Sequence, residues 1–448
     1  MKRRLSALTS ALLALGVVMP LSINAATLKE AVIETIETNP YILQAVNERR
    51  SRDQDVAQAR AGYKPDINLM AGAGYEYSDN NSTRAVLRQN GKSNRGEELD
   101  RTELELTLRQ MIFDGYLTKN EVERHQARVQ VAAHDIHGVA QNTGLRAIEV
   151  YLELLKKQAD LELARDNLDA HKRIYDQIRL RSESGVGRKA DMAQIEGRVA
   201  LARSNVVSAQ NNVNEAEANY RRVVGSAPMA LQRPTALGGV LPQSVEEAIA
   251  TGLQLHPTLK SAMADVEATQ AQHRAAKFNY SPRFDVEMGI SKNSDLDGVN
   301  GRNEDAYAML RMRWNLYNGG KDKARIEQTA HEINEASEVQ NNTAREVEES
   351  VRLSWTSYEA TKQQVNYLKR HVDSAKQTRE AYTKQFNIGQ RTLLDLLDTE
   401  NEVFEANRSH NEADYTHLYA QYRILVGMGN LLETMELNLP AEATMASK

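Results

Sequence analysis

The chain repeats itself. Thr27-Leu28-Lys29-Glu30-Ala31-Val32 leads to Asn39-Pro40, and 217 residues later Ser244-Val245-Glu246-Glu247-Ala248-Ile249 leads to His256-Pro257. Lys64-Pro65 and Ser281-Pro282 keep the same separation. Phe113-Asp114-Gly115 then matches Tyr317-Asn318-Gly319 at 204, as Gly185 and Asp191 match Gly389 and Asp395, and Tyr220 to Gly225 matches Tyr422 to Gly427 at 202. A tandem duplication limits the fold to one unit built twice, so the unit has to be read first.

Each unit reads as a short helix, a medium helix, two strands, a very long helix and a long helix. The strands alternate. Ile67, Leu69, Ala71, Ala73, Tyr75 and Tyr77 share one face, and Leu104, Leu106 and Leu108 face away from Glu103, Glu105, Thr107 and Arg109. Phe284, Val286, Met288 and Ile290, then Leu310, Met312, Trp314 and Leu316, repeat the pattern in the second copy. Alternation over about ten residues marks a membrane-barrel strand, although a half-buried hairpin of a soluble domain has the same period. Polar segments from Ser78 to Arg101 and from Ser291 to Glu304 are expected to be the loops joining each pair. Their difference in length carries most of the shift from 217 to 204.

Proline is absent from Asp66 to Ala227 and from Arg283 to Leu439, which permits helices far longer than the globular average. From Gly115 to Ser182 one helix of about 100 Å is allowed at 1.5 Å per residue. Leu161, Ala164, Leu168, Tyr175 and Ile178 form its apolar stripe, and the chain returns antiparallel from Asp191 after the Gly185 to Gly187 turn. Val351, Tyr358, Val365, Leu368, Val372, Ala375, Tyr382 and Phe386 lead into the corresponding turn at Gly389, with Leu394, Leu397, Phe404, Tyr415, Leu418, Tyr422 and Leu425 after it. Spacing of three and four makes both hairpins coiled coils, and such lengths suit a rod or the wall of a tube.

At the second turn Asp395 and Asp398 lie three residues apart on one helix face, with Arg391 one turn ahead of Asp395. If several chains bring this tip together, the acids form a ring at the closed end of a tube. Taken alone, Arg391 with Asp395 is also compatible with an ordinary surface ion pair.

Lys2, Arg3 and Arg4, the apolar run Leu5 to Met19 and the small residues Ala25 and Ala26 predict a secretory leader cut after Ala25. No later stretch holds the roughly 20 continuous apolar residues of a membrane helix, so membrane contact falls to the strands. Losing the leader leaves 53 basic against 61 acidic side chains, which makes nucleic acid a poor partner. With no cysteine in the chain, disulfides, thiolate metal sites and an N-terminal lipid-modified cysteine are excluded. His134 and His137 lack a companion acid in zinc-protease order. Asp295-Leu296-Asp297-Gly298-Val299-Asn300-Gly301 resembles a calcium loop only faintly, because the terminal glutamate is missing. Neither Gly185-Val186-Gly187 nor Gly72 with Gly74 follows phosphate-loop order. No acid, base and nucleophile converge, so neither an enzyme nor a cofactor is expected.

The duplicated order, the Asn-Pro opening, Tyr317-Asn318-Gly319-Gly320 and the tip Gly389-Gln390-Arg391-Thr392-Leu393-Leu394-Asp395-Leu396-Leu397-Asp398 resemble the TolC family of outer-membrane channel-tunnels over nearly all of the mature chain. The resemblance implies a mainly α chain with membrane β: a long coiled-coil tunnel under a twelve-stranded β-barrel shared by a homotrimer, four strands per chain. Four strands cannot close alone, so an oligomer is expected on physical grounds as well. It implies an outer-membrane location with a long periplasmic extension, docking to a periplasmic adaptor (membrane fusion) protein and, through it, to an inner-membrane transporter. The ABC type is favoured there over the RND type. By the same resemblance Asp395 and Asp398 match aspartate rings at a periplasmic gate, Arg391 the arginine that holds it closed, and Asp191 the acidic partner of that lock. The chain departs from the family at Phe386, where a tyrosine hydroxyl would bond the acid, and at Ala190, in place of a threonine.

The expected division is a leader at 1–25, a first repeat at 26–225, a linker at 226–243, a second repeat at 244–430 and a C-terminal segment at 431–448. Strands are placed at about 66–78, 102–113, 283–291 and 305–317, and long helices at about 115–182, 190–224, 319–386 and 391–428. The function expected is an exit duct for type I protein secretion, close to the agglutination or adhesin-export branch. A duct for small molecules or drugs is the alternative, and a periplasmic coiled-coil adaptor or scaffold is a third reading from another class.

Overall fold

The computed structural model describes residues 27–92, 96–185, 187–237 and 239–444. The expected leader at 1–25 lies outside them. Each repeat opens with a helix start written into the sequence. Thr27 and Glu30 form a capping box at the head of α1 (Leu28–Thr38), and Asn39 caps α2 (Pro40–Ala61), whose first residue is the proline best tolerated there. In the second copy Ser244 caps α6 (Val245–Leu255), and Pro257 opens α7 (Pro257–Ala275).

Four strands follow the two openings: β1 (Asp66–Ser78) and β2 (Glu97–Phe113), with α3 (Asn81–Gln89) between them, then β3 (Arg283–Leu296) and β4 (Val299–Arg313). They pair antiparallel in the order β1-β2-β3-β4. Ile67 stands opposite Leu108, Leu108 opposite Met288, and Val286 opposite Leu310, so the apolar positions of all four fall on one face. Among the described residues nothing covers that face: Leu69 and Leu310 are both 68% exposed. The outer edges of β1 and β4 are unpaired, a state that in lipid only closure with other copies removes.

Two loop expectations are corrected here. The Ser291 to Glu304 segment is strand, turning only at Asp297 and Gly298, both with positive φ, as the two-residue turn of a tight hairpin requires. The calcium-like segment is therefore that turn, and the Asp295 carboxylate is spent accepting from the Gly301 N–H at 2.8 Å. The Ser78 to Arg101 segment is not all loop either. α3 packs against the turn, with Thr83 Oγ1 donating to the Asp297 carbonyl at 3.1 Å, and β2 starts at Glu97 rather than 102. β4 stops at Arg313 instead of reaching 317.

α4 (Leu117–Glu183) and α8 (Lys321–Asn387) are each 67 residues, about 100 Å long, and α5 (Lys189–Val224) and α9 (Leu393–Gly427) return beside them. The main core lies midway along α4, where α1, α5 and α9 pack on it through Val32, Ile148, Tyr151, Leu154, Tyr220, Ile424 and Leu425. The linker is held there by Tyr151, whose hydroxyl donates to the Gln232 carbonyl at 2.7 Å and accepts from the Gln232 N–H at 2.9 Å. Behind it α10 (Leu431–Thr434) is tied to α4 by Gln141, which donates to the Gly429 carbonyl and accepts from the Leu431 N–H.

Candidate functional site

The two helical turns lie at the ends of α4 and α8 remote from the sheet. Each is made by a glycine in the left-handed region: Gly185 at φ 76° and Gly389 at φ 79°. The Gly187 N–H closes the first turn onto the Arg181 carbonyl at 2.9 Å, and a Cβ on Gly187 would stand 2.7 Å from the Ser182 nitrogen, so the position admits only glycine without rearrangement. The second turn closes from the Gln390 N–H to the Gln385 carbonyl at 2.9 Å. α9 then starts on a capping box, in which Asp395 N–H donates to Thr392 Oγ1 at 3.2 Å and Thr392 N–H to the Asp395 carboxylate at 3.1 Å. The Thr392 hydroxyl, donating to the Asp395 carboxylate at 2.9 Å, and then the Thr392 N–H hold that carboxyl below its ordinary value of 3.8. Asp191 occupies the matching position in the first turn of α5, where the helix dipole favours an acid, but Arg188 provides no side-chain cap there.

An apolar cluster joins the two turns. Ile174 and Ile178 of α4, Ile195 and Val199 of α5, Phe386 of α8, and Leu393, Leu396 and Leu397 of α9 are all buried in it. Phe386 is 4% exposed, and the Arg181 guanidinium sits over its ring at 4.6 Å. The residue that lacks a gate hydroxyl is thus a packing anchor between the hairpins. Leu394, expected in the seam, is instead 48% exposed, because the helix phase set by the Thr392 cap turns its neighbours Leu393, Leu396 and Leu397 inward.

The charged residues separate into different roles. Arg391 stays on its own hairpin: its guanidinium lies 4.1 Å from the Tyr382 ring centroid, donates to Gln385 at 3.1 Å and comes within 4.0 Å of Asp395. Within one chain its ion-pair partner is Asp395, and Asp191 is not brought to it. Asp398 accepts from Arg198 of α5 at 3.1 Å, an ion pair between the two repeats, while remaining 59% exposed. Nearby, Arg379 lies 3.7 Å from Glu400, whose carboxyl is pushed up by burial. His171, 4% exposed, is pushed below 6.5 by burial, with the Arg198 charge adding to the effect. Arg181 and Arg198 escape sequence reading because their partners, Phe386 and Asp398, lie on the other hairpin. The one available signal was that Arg198 follows Asp191 and Ile195 along the same stripe of α5.

No group of three or more metal-ligating side chains occurs among the described residues, and none of their helices is long and apolar enough to cross a membrane. A lipid-facing sheet too narrow to close by itself, carried on helices of about 100 Å that end in a charged turn, defines a tubular conduit whose membrane part is strand.

Comparison with known proteins agrees. The model of the outer membrane efflux protein family matches residues 32–226 and 248–430, so both repeats are covered. The chain is 25% identical over 406 residues to the outer membrane efflux protein BepC of Brucella suis, spanning 90% of this chain and 86% of that one. It is 24% identical over 414 residues to the alkaline protease secretion protein AprF of Pseudomonas aeruginosa, at 91% and 85% coverage. The crystal structure of the Campylobacter jejuni CmeC outer membrane channel shares the fold, with a TM-score of 0.77 at 13% identity over 92% of this chain and 90% of that one. The protein belongs to the outer membrane efflux protein family, the family of the TolC channels. It is an outer-membrane channel with a long periplasmic helical tunnel, not an enzyme, and channels of this family are homotrimers that work with adaptor proteins and inner-membrane transporters. The adaptor or scaffold reading is thereby set aside.

Proposed function

We propose that this channel is the exit duct of a type I secretion system, accepting a protein substrate from an ABC-type transporter through a periplasmic adaptor. The observation that carries the reading is the full-length similarity to AprF, whose name assigns it to secretion of a protease. The absence of any cysteine for lipid attachment supports it. Similarity to BepC favours the second reading, efflux of small molecules, for which an RND-type transporter would serve. Deleting the gene separates them. Loss of a large protein from the culture medium with unchanged drug sensitivity supports secretion, and the reverse supports efflux.

The resting duct is closed at the periplasmic tip. In the trimer three copies of Arg391 reach acids of neighbouring hairpins, Asp191 first among them, while Asp395 and Asp398 make a ring of carboxylates at the narrowest point. The 59% exposure of Asp398 supports this, because its pairing with Arg198 leaves an oxygen free for the passage. Phe386 with Arg181 and the Leu396 cluster gives each chain a preassembled pair of hairpins, so opening is a motion of one such pair against the next.

A further inference from the structure

The helix-proximal end of the sheet carries a charge cluster that the gate does not use. Asp285 is fully buried and accepts from three arginines: Arg109 of β2 at 2.9 Å, Arg313 of β4 at 2.7 Å and Arg283 of its own strand at 3.1 Å. Two positions along β3, Glu287 accepts from Arg311 and Arg313. All six side chains lie on the face opposite the apolar one, and each arginine side chain as a whole remains between 41% and 43% exposed.

Two facts make the cluster more than a set of strand pairs. Arg109 and Arg313 are 204 residues apart and so equivalent in the two repeats, whereas Asp285 and Glu287 stand 217 residues after the uncharged Asn68 and Met70. Both copies supply an arginine, and only the second supplies the acids that hydrogen-bond them. Counting Asp66, opposite Arg109 in the ladder, four guanidinium groups meet three carboxylates, which leaves one positive charge in excess per chain. The Arg109 Nε–H is buried without a hydrogen-bond partner, 3.9 Å from Glu287. Buried Asp285 fixes the guanidinium groups on the wall, so they are presented to the lumen already oriented and at little further entropic cost.

We propose that these arginines form a cationic belt round the lumen where barrel meets tunnel, a binding station for phosphate- or carboxylate-bearing groups opposite in sign to the aspartate tip. The inference rests on the sheet closing into a shared barrel with its polar face inward. Fixed positive charges attract an anion in proportion to its own charge, so multivalent oxyanions are held and monovalent ones pass.

The test is block of the reconstituted channel by tripolyphosphate in a planar bilayer. Tripolyphosphate is expected to lower wild-type conductance. Arg311→Gln should raise the half-blocking concentration at least about fivefold, the effect of one charge lost at contact distance in water. Arg311→Lys, which keeps the charge, should stay within about twofold of wild type. Arg311→Gln with Glu287→Gln, which restores the net charge, should recover most of the block. No block of the wild type, a block unaffected by Arg311→Gln, or one weakened equally by Arg311→Lys overturns the belt. Trivalent-cation block at the tip, read on the same channels, reports on the gate separately, so either proposal can fail without the other.

Discussion

Arg391 is poised rather than engaged within its chain. It lies over the Tyr382 ring, donates to Gln385 and stands 4.0 Å from Asp395, a long pair that the proposed gate exchanges for an acid of a neighbouring chain. Arg391→Ser is therefore expected to raise single-channel conductance severalfold. Asp395 and Asp398 need separating from their structural duties, because Asp395 also caps α9 and Asp398 also pairs with Arg198. Asn at both positions removes charge while keeping a side-chain acceptor, and it should abolish block by trivalent cations without closing the pore. Unchanged conductance in the first variant, or block surviving in the second, places the gate elsewhere. His171 gives a pH prediction. Its pKa is depressed in the fold, so the unfolded state takes up the proton first, and the tip loses stability as pH falls through 6.5 towards the folded value. Protection factors of α4 and α5 amides near the tip, exchange rates corrected for the intrinsic pH dependence of amide exchange, should fall between neutral and mildly acidic pH in wild type, and His171→Leu should flatten that response.

Among the elements, α9 starts where it does because Thr392 satisfies backbone N–H groups that the helix cannot. That cap also sets which leucines face Phe386. Thr392→Ala should cost about 1 kcal/mol at this helix start, and Thr392→Ser much less. The measurement is exchange protection at Leu393 to Leu397, where equal protection in both variants would deny the cap its role. The sheet shows the other kind of control. Its two hairpins come from equivalent sequence, yet one closes on Asp297-Gly298 and the other carries a helix, because an insertion is accommodated at the hairpin end far from the core.

For the whole molecule, connectivity fixes direction. Each hairpin is flanked on both sides by helices, so its turn lies at the end remote from them, outside the cell, and the glycine turns lie deep in the periplasm. The chain has no native cysteine, so single labels are unambiguous. A cysteine at Asn90 should react with an impermeant maleimide on intact cells and one at Gln390 should not; the opposite pattern reverses the orientation. The open edges of β1 and β4 and the bare apolar face further require that detergent-corrected light scattering find a trimer and no folded monomer.

The sequence by itself determined the elements and their order. Proline-free runs, seam spacing, strand alternation and the 217 and 204 periods are local or periodic properties, and they specify duplicated long helical hairpins and two pairs of alternating strands before any contact is known. The chemistry of the tip was legible only as residue types on a helix face. Tertiary structure decided what those residues do. It buried Phe386 under Arg181, gave Asp398 to Arg198, set Asp395 to capping and gathered Arg109, Arg283, Arg311 and Arg313 around Asp285 and Glu287. Each of these, apart from the Asp395 cap and the Arg283–Asp285 pair within β3, joins residues from different hairpins or strands. A pairing across such distances is selected by packing of the whole chain, and no local spacing records it.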